Sequence, residues 1–145
     1  MPHAPFHHIK YLAAAFILSA CSNYEWSVND NVVYSPAPLF NDFDKRDAAL
    51  STCLKDSIKE FEVRKAEELD SLFCPSGKIQ HIQALSVFTN IEKLGLANNH
   101  ISDASPLSEL SKLRFVDLRG NSELACETVS TLTQIEQLYL PEHCN

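Results

Sequence analysis

The feature that most limits what this chain can become is a repeat. Ile91, Leu94, Leu96 and Asn99 are answered, 22 residues on, by Leu113, Val116, Leu118 and Asn121. The same offset leads forward to Ile135, Leu138 and Leu140, and back to Leu69, Leu72 and Cys74. The second halves of the units match too, with Leu85 and Phe88 followed by Leu107 and Leu110, then by Val129 and Leu132. Within each unit Leu94 with Leu96, Val116 with Leu118 and Leu138 with Leu140 alternate at strand period. One such strand cannot bury its apolar side. Stacked coils can, and they place a parallel sheet on one face of a solenoid.

Composition narrows the function. The 145 residues suit a single domain. At 45% hydrophobic and 21% charged, the chain is neither disordered nor a membrane bundle. Acidic residues outnumber Lys and Arg by 19 to 12, which disfavours a sequence-independent nucleic-acid role. Three Gly are few for a glycine-rich loop that cradles phosphates.

The repeat resembles the leucine-rich repeat family, most closely the 22-residue class of the bacterial internalins. The resemblance covers about residues 69–145, and Ile101 to Leu107 is similar to that class's connecting segment. It implies an α/β solenoid of about four coils with its parallel sheet on the concave face. It also implies a role for Asn99 and Asn121, each bonding backbone groups inside a turn. The side-chain amide suits this because it donates and accepts. Gly77 and His143 take the Asn slot in the first and last coils, where departures are common. Glu123 falls where Ile79 and Ile101 predict an apolar residue, so a local shift should put Leu124 inside.

Residues 43–68 read as a helix that looks like the family's N-terminal cap. Asp44 is placed to cap it, with Phe43 and Ala48 at staple spacing, and Leu50, Leu54, Ile58 and Phe61 form one apolar stripe. Arg64 and Lys65 suit its C-terminal end.

Residues 1–20 read as a signal peptide. Tyr11 to Ser19 is an apolar run too short to span a bilayer. Leu18, Ser19, Ala20 and Cys21 resemble the lipobox of bacterial lipoproteins, which implies cleavage before Cys21 and lipid on that residue. By the same resemblance, Ser22 looks like an outer-membrane sorting signal, with the domain facing the periplasm or the outside. Residues 21–42 then form a tether from the lipid. Trp26, Val32, Val33 and Tyr34 are unusual in a tether and suggest a short strand that packs on the domain, or contact with the headgroup layer.

Export leaves disulfides stable, and four cysteines other than Cys21 allow three pairings. Cys74 and Cys126 lie two coils apart, too far for a bridge when strands stack at about 4.8 Å. The coil positions favour Cys53 with Cys74 and Cys126 with Cys144, each closing a loop worth roughly 3 kcal/mol.

Sharper chemistry competes poorly. Cys126, His143 and Cys144 could suggest zinc, but the paired-ligand spacings of structural sites are missing. No metal or cofactor is expected. A catalytic Cys–His pair is the weaker account of cysteines in an exported chain. Asp117 and Glu136 on neighbouring strands could suggest hydrolysis, but an open repeat face lacks a pocket. His81 and His100 read as solvated turn residues. No catalytic constellation stands, so the chain is read as a non-enzyme.

The face offers three outward rows: Ser71, Lys93, Phe115 and Gln137; then Phe73, Gly95, Asp117 and Tyr139; then Pro75, Ala97, Arg119 and Pro141. Exposed aromatics beside an Arg have the composition of a binding hot spot. Phe115, Asp117, Arg119, Tyr139, Lys93 and Gln137 are the candidate contacts for a protein or peptide partner. The expected function is a lipid-anchored interaction module, or alternatively an assembly subunit stabilised by a permanent envelope partner.

Overall fold

The computed structural model describes residues 25–145. Cys21 and the expected signal segment lie outside the described residues. The chain divides into two units between Ala37 and Pro38.

The described part of the first unit holds an antiparallel hairpin of β1 (Trp26–Val28) and β2 (Asn31–Tyr34). Its two-residue turn places Asn29 and Asp30 at φ 52° and 62°. Positive φ at both turn residues matches the twist of the strands, and Asn and Asp adopt it more readily than most residues. The expected tether thus contains paired strands. Their alternation is unreadable because both strands are short and the register shifts between Trp26 and Ser27.

The second unit begins with α1 (Ala48–Glu60). Its N-cap is Asp47, not Asp44, for the Asp47 carboxylate accepts from the Leu50 N–H at 2.9 Å. Asp44 is instead occupied by the backbone and guanidinium of Arg46. Leu50, Leu54 and Ile58 are buried as the stripe requires, but the helix stops one residue before Phe61, which is exposed at the C-cap. Arg64 and Lys65 lie beyond the helix end, where their N–H groups donate to Glu68.

Four strands follow: β3 (Ser71–Phe73), β4 (Lys93–Gly95), β5 (Phe115–Asp117) and β6 (Gln137–Tyr139). They form one parallel sheet in sequence order. The register sets Leu72, Leu94, Val116 and Leu138 side by side. Each of the first three strands leads to the next through a short 3-10 segment, at Gln83–Val87, Ser105–Glu109 and Cys126–Val129. Leu85, Phe88, Leu107, Leu110, Val129 and Leu132 from these returns join the strand leucines in one core.

Asparagine closes the interior turns. Asn99 Oδ1 accepts from the Gly77 and Ile79 N–H groups at 2.9 and 3.0 Å, and its Nδ2 donates to the Cys74 and Leu96 carbonyls. Asn121 accepts from the Ile101 N–H and donates to the Leu96 and Leu118 carbonyls. Both are buried, so each removes several backbone groups from the cost of burial without a partner. One residue before the slot in the first three coils, Ser76, Asn98 and Gly120 share positive φ. A Cβ at Gly120 would collide with the Asn98 side chain, which is why glycine stands there.

The shift anticipated in the third coil is present: Leu124 is buried, while Glu123 is exposed and faces His100. The cysteines pair as coil position suggests. Cys53 on α1 bridges to Cys74 just after β3, with Cα atoms 6.0 Å apart, and Cys126 bridges to Cys144 at 5.3 Å.

Candidate functional site on the sheet face

The alternation that sends leucines inward sends their neighbours out. Phe73, Phe115 and Tyr139 rise from three strands and form a continuous stripe. The Phe73 and Phe115 ring centroids are 6.5 Å apart, and those of Phe115 and Tyr139 are 5.7 Å apart, at tilted angles within the favoured range. Phe73 and Tyr139 are exposed and Phe115, between them, is half-buried.

Phe73 and Phe115 stand on strands separated by β4, so the stripe crosses β4 at Gly95. A Cβ there would run into the Phe73 ring. Gly95 keeps its outward place in the row but is covered by that ring, and its missing Cβ lets the ring lean across the strand. Residue type and spacing put Phe73 in the second row, but nothing sequential joins it to Phe115. The signal was the single Gly in that row.

Arg119 continues the stripe. Its guanidinium lies 5.1 Å from the Tyr139 ring centroid, in cation–π range. It is fixed by two hydrogen bonds to Asp117, Nε to Oδ1 at 2.9 Å and a terminal nitrogen to Oδ2 at 2.6 Å. These bonds hold the Asp117 carboxyl below the usual carboxylate range, against a burial that pushes it up. Asp117 therefore orients Arg119. Beside Arg119 opens a groove of about 570 Å³, lined also by Ser122, Leu140, Pro141 and His143. Pro141, placed outward by its row, is buried. Lys93 and Gln137 are exposed along the neighbouring row.

The structure does not bring Asp117 and Glu136 together as a carboxylate pair. Asp117 takes Arg119, and Glu136 faces Arg114 at 3.6 Å. Cys126, His143 and Cys144 do converge, with one potential ligand atom of each within 4.8 Å of the others. Both sulfurs are joined in the bridge and offer no thiolate. The imidazole Nε2 lies 2.9 Å from the Leu124 carbonyl oxygen. His81 and His100 are exposed. Among the described residues, no helix is long and apolar enough to cross a membrane.

Residues 89–132 match the family described as Leucine Rich repeats (2 copies), so β4, β5 and their returns carry leucine-rich repeats. Such repeats commonly mediate protein–protein interaction and are typically non-enzymatic. None of the curated proteins matches the chain. Among solved structures, the CBM51-2 and INT domains of Clostridium perfringens ZmpB are similar at 20% identity and a TM-score of 0.47, over 61% of this chain and 19% of that one. An internalin (InlF) from Listeria monocytogenes is similar at 20% identity and a TM-score of 0.46, over 66% of this chain and 36% of that one. The chain therefore spans about a fifth and about a third of those two structures.

Proposed function

We propose that this chain is an envelope lipoprotein, anchored through lipid on Cys21 and sorted by Ser22 to the outer membrane, that holds a protein or peptide partner on the concave face of its repeats. The observation that carries the binding reading is the stripe of Phe73, Phe115 and Tyr139 with Arg119 clamped beside it. Rigid exposed aromatics and an oriented Arg make contacts at low entropic cost, which is what hot spots require. On this reading α1 is the N-terminal cap of a four-coil solenoid, and the 22-residue period sets the spacing of the rows. Lipid anchoring is supported by the residues from Leu18 to Cys21 and by the pairing of the other four cysteines, which leaves Cys21 for lipid.

Affinity capture from the envelope in mild detergent tests this. Tyr139→Ala with Phe73→Ala should weaken partner retention by about 2 kcal/mol or more, while Glu109→Ala, in a return segment away from the sheet, should not. Phe115→Ala is the poorer probe because that ring is packed on both sides. Equal retention by all variants would remove the sheet face from the function. Mass spectrometry of the mature N-terminus tests the lipid, and an unmodified terminus would overturn the anchor alone.

A second reading, an assembly subunit, is favoured by the last coil. Ile135, Leu138 and Leu140 are only partly buried, and β6 has a strand neighbour on one side only. A stoichiometric partner that survives purification, and whose loss lowers the melting temperature, would favour it.

A further inference from the structure

The hairpin is unused by the sheet-face reading, and its chemistry is unusual for a linker. Val28, Val32 and Val33 are 62%, 58% and 67% exposed, and Tyr34 is 49% exposed. A lone two-stranded hairpin is marginal in water, because it has no face on which to bury such side chains. Yet the turn is well specified, with Asn29 and Asp30 both at positive φ. A segment with a built turn and uncovered apolar side chains has somewhere to put them.

We infer that the hairpin seats in the headgroup layer of the membrane to which Cys21 is anchored. The inference rests on the lipid reading of Cys21. Trp26 stands five chain positions after Cys21, a reach of at most about 17–18 Å even fully extended. The start of the hairpin is therefore kept within that distance of the anchor, whatever path the linker takes. Its axis is chemically graded. Trp26 pairs in register with Tyr34 at the end nearest Cys21, while Asn29, Asp30 and Asn31 form the far turn. Trp and Tyr are the residues enriched at membrane interfaces, where one part of the ring is apolar and the other wet. Residues 22–42 contain Glu25, Asp30 and Asp42 but no Lys or Arg, so contact is aromatic and apolar rather than a polybasic attraction to anionic lipid. The hairpin adds a second, short-range hold to the acyl chains and fixes where the linker leaves the membrane.

The chain's single tryptophan makes the test direct. The mature protein is extracted and reconstituted into phosphatidylcholine–phosphatidylethanolamine vesicles, and Trp26 emission is read with quenchers in the lipid and in the water. The expected result is a blue shift, loss of emission with brominated lipid, and protection from acrylamide. Val33→Ser with Tyr34→Ser should reverse all three. Full acrylamide access, with no lipid quenching, would overturn the inference. So would a blue shift without lipid quenching, because the hairpin would then be covered by protein. The N-terminal mass of the same sample reports separately on the lipid. Should it show no acylation, the chain is coupled through Cys21 to a maleimide lipid and the quenching repeated; Trp26 exposed to water there would overturn the hairpin's affinity for the surface itself.

Discussion

Asn99 and His143 occupy one slot of the repeat, two coils apart, and the molecule closes the two turns differently. Around Asn99 a buried amide binds the Gly77 and Ile79 N–H groups and the Cys74 and Leu96 carbonyls. Around His143 the ring reaches one carbonyl, that of Leu124, and the Cys126–Cys144 bridge lies alongside. Interior coils have a neighbour on both sides, so their backbone groups are sealed from water and every one needs a partner. The last coil has a strand neighbour on one side, its leucines are partly open, and water can serve its backbone. There the threat is fraying, which a covalent link opposes and an amide does not. The first coil also carries a bridge, Cys53–Cys74, which ties α1 to the segment just after β3, but the Gly77 and Ile79 N–H groups of its turn are taken by Asn99 of the next coil.

The comparison can be broken most severely at Asn99. Asn99→Ala orphans buried groups that each cost about 1–3 kcal/mol, so the loss should well exceed about 3 kcal/mol and show as a collapse of the thermal transition by circular dichroism. Replacing Cys126 and Cys144 together with Ala should cost roughly 3 kcal/mol. Hydrogen exchange should then accelerate first in β6 and only later in β4 and β5. Equal acceleration in all three strands would mean that the bridge stabilises the whole solenoid rather than its end.

Asp47 is the next smaller step. Its carboxylate accepts from Leu50 in α1 and from the Gln80 and His81 N–H groups of the first coil, at 2.8 and 2.9 Å. Burial pushes this carboxyl up, but the backbone N–H groups of Leu50, His81, Gln80 and Ala49 together hold it below its ordinary value. A depressed folded-state value means support that is complete above the unfolded value of about 4 and lost as pH falls through the folded one. Asp47→Ala should cost about 1–2 kcal/mol at neutral pH. Asp47→Asn should flatten the acid limb of a stability–pH profile, and an unchanged limb would show that the carboxylate does not join the two elements. Smallest is His143→Ala, which gives up one part-buried hydrogen bond and should cost no more than about 1 kcal/mol in the same thermal melt. A loss there as large as that of Asn99→Ala would erase the distinction between end and interior.

The coils were legible because a solenoid imposes its period on the chain. Strands must stack in register, so each inward leucine recurs at the same offset, and the two buried asparagines recur with them. Leu124 could be placed inside against Glu123 because only one of the two can enter a dry core. Cysteine pairing followed from coil position, since stacking distance forbids a bridge across two coils.

What the sequence could not show was settled by groups far apart in the chain. Local chemistry points to Asp44 as the helix cap, yet the cap is Asp47. Asp47 takes it because folding brings two N–H groups of the first coil, more than thirty residues away, onto its free oxygen. Phe73 joins Phe115 only because Gly95 of the strand between them leaves room for the ring. Asp117, read as a contact for a partner, is spent on Arg119 once both stand on one face. The period, the buried positions and the bridges are one-dimensional facts, fixed by alternation and spacing. Which carboxylate caps, which ring crosses a strand and which charge is left free depend on distances between coils, and those exist only after the coils have stacked.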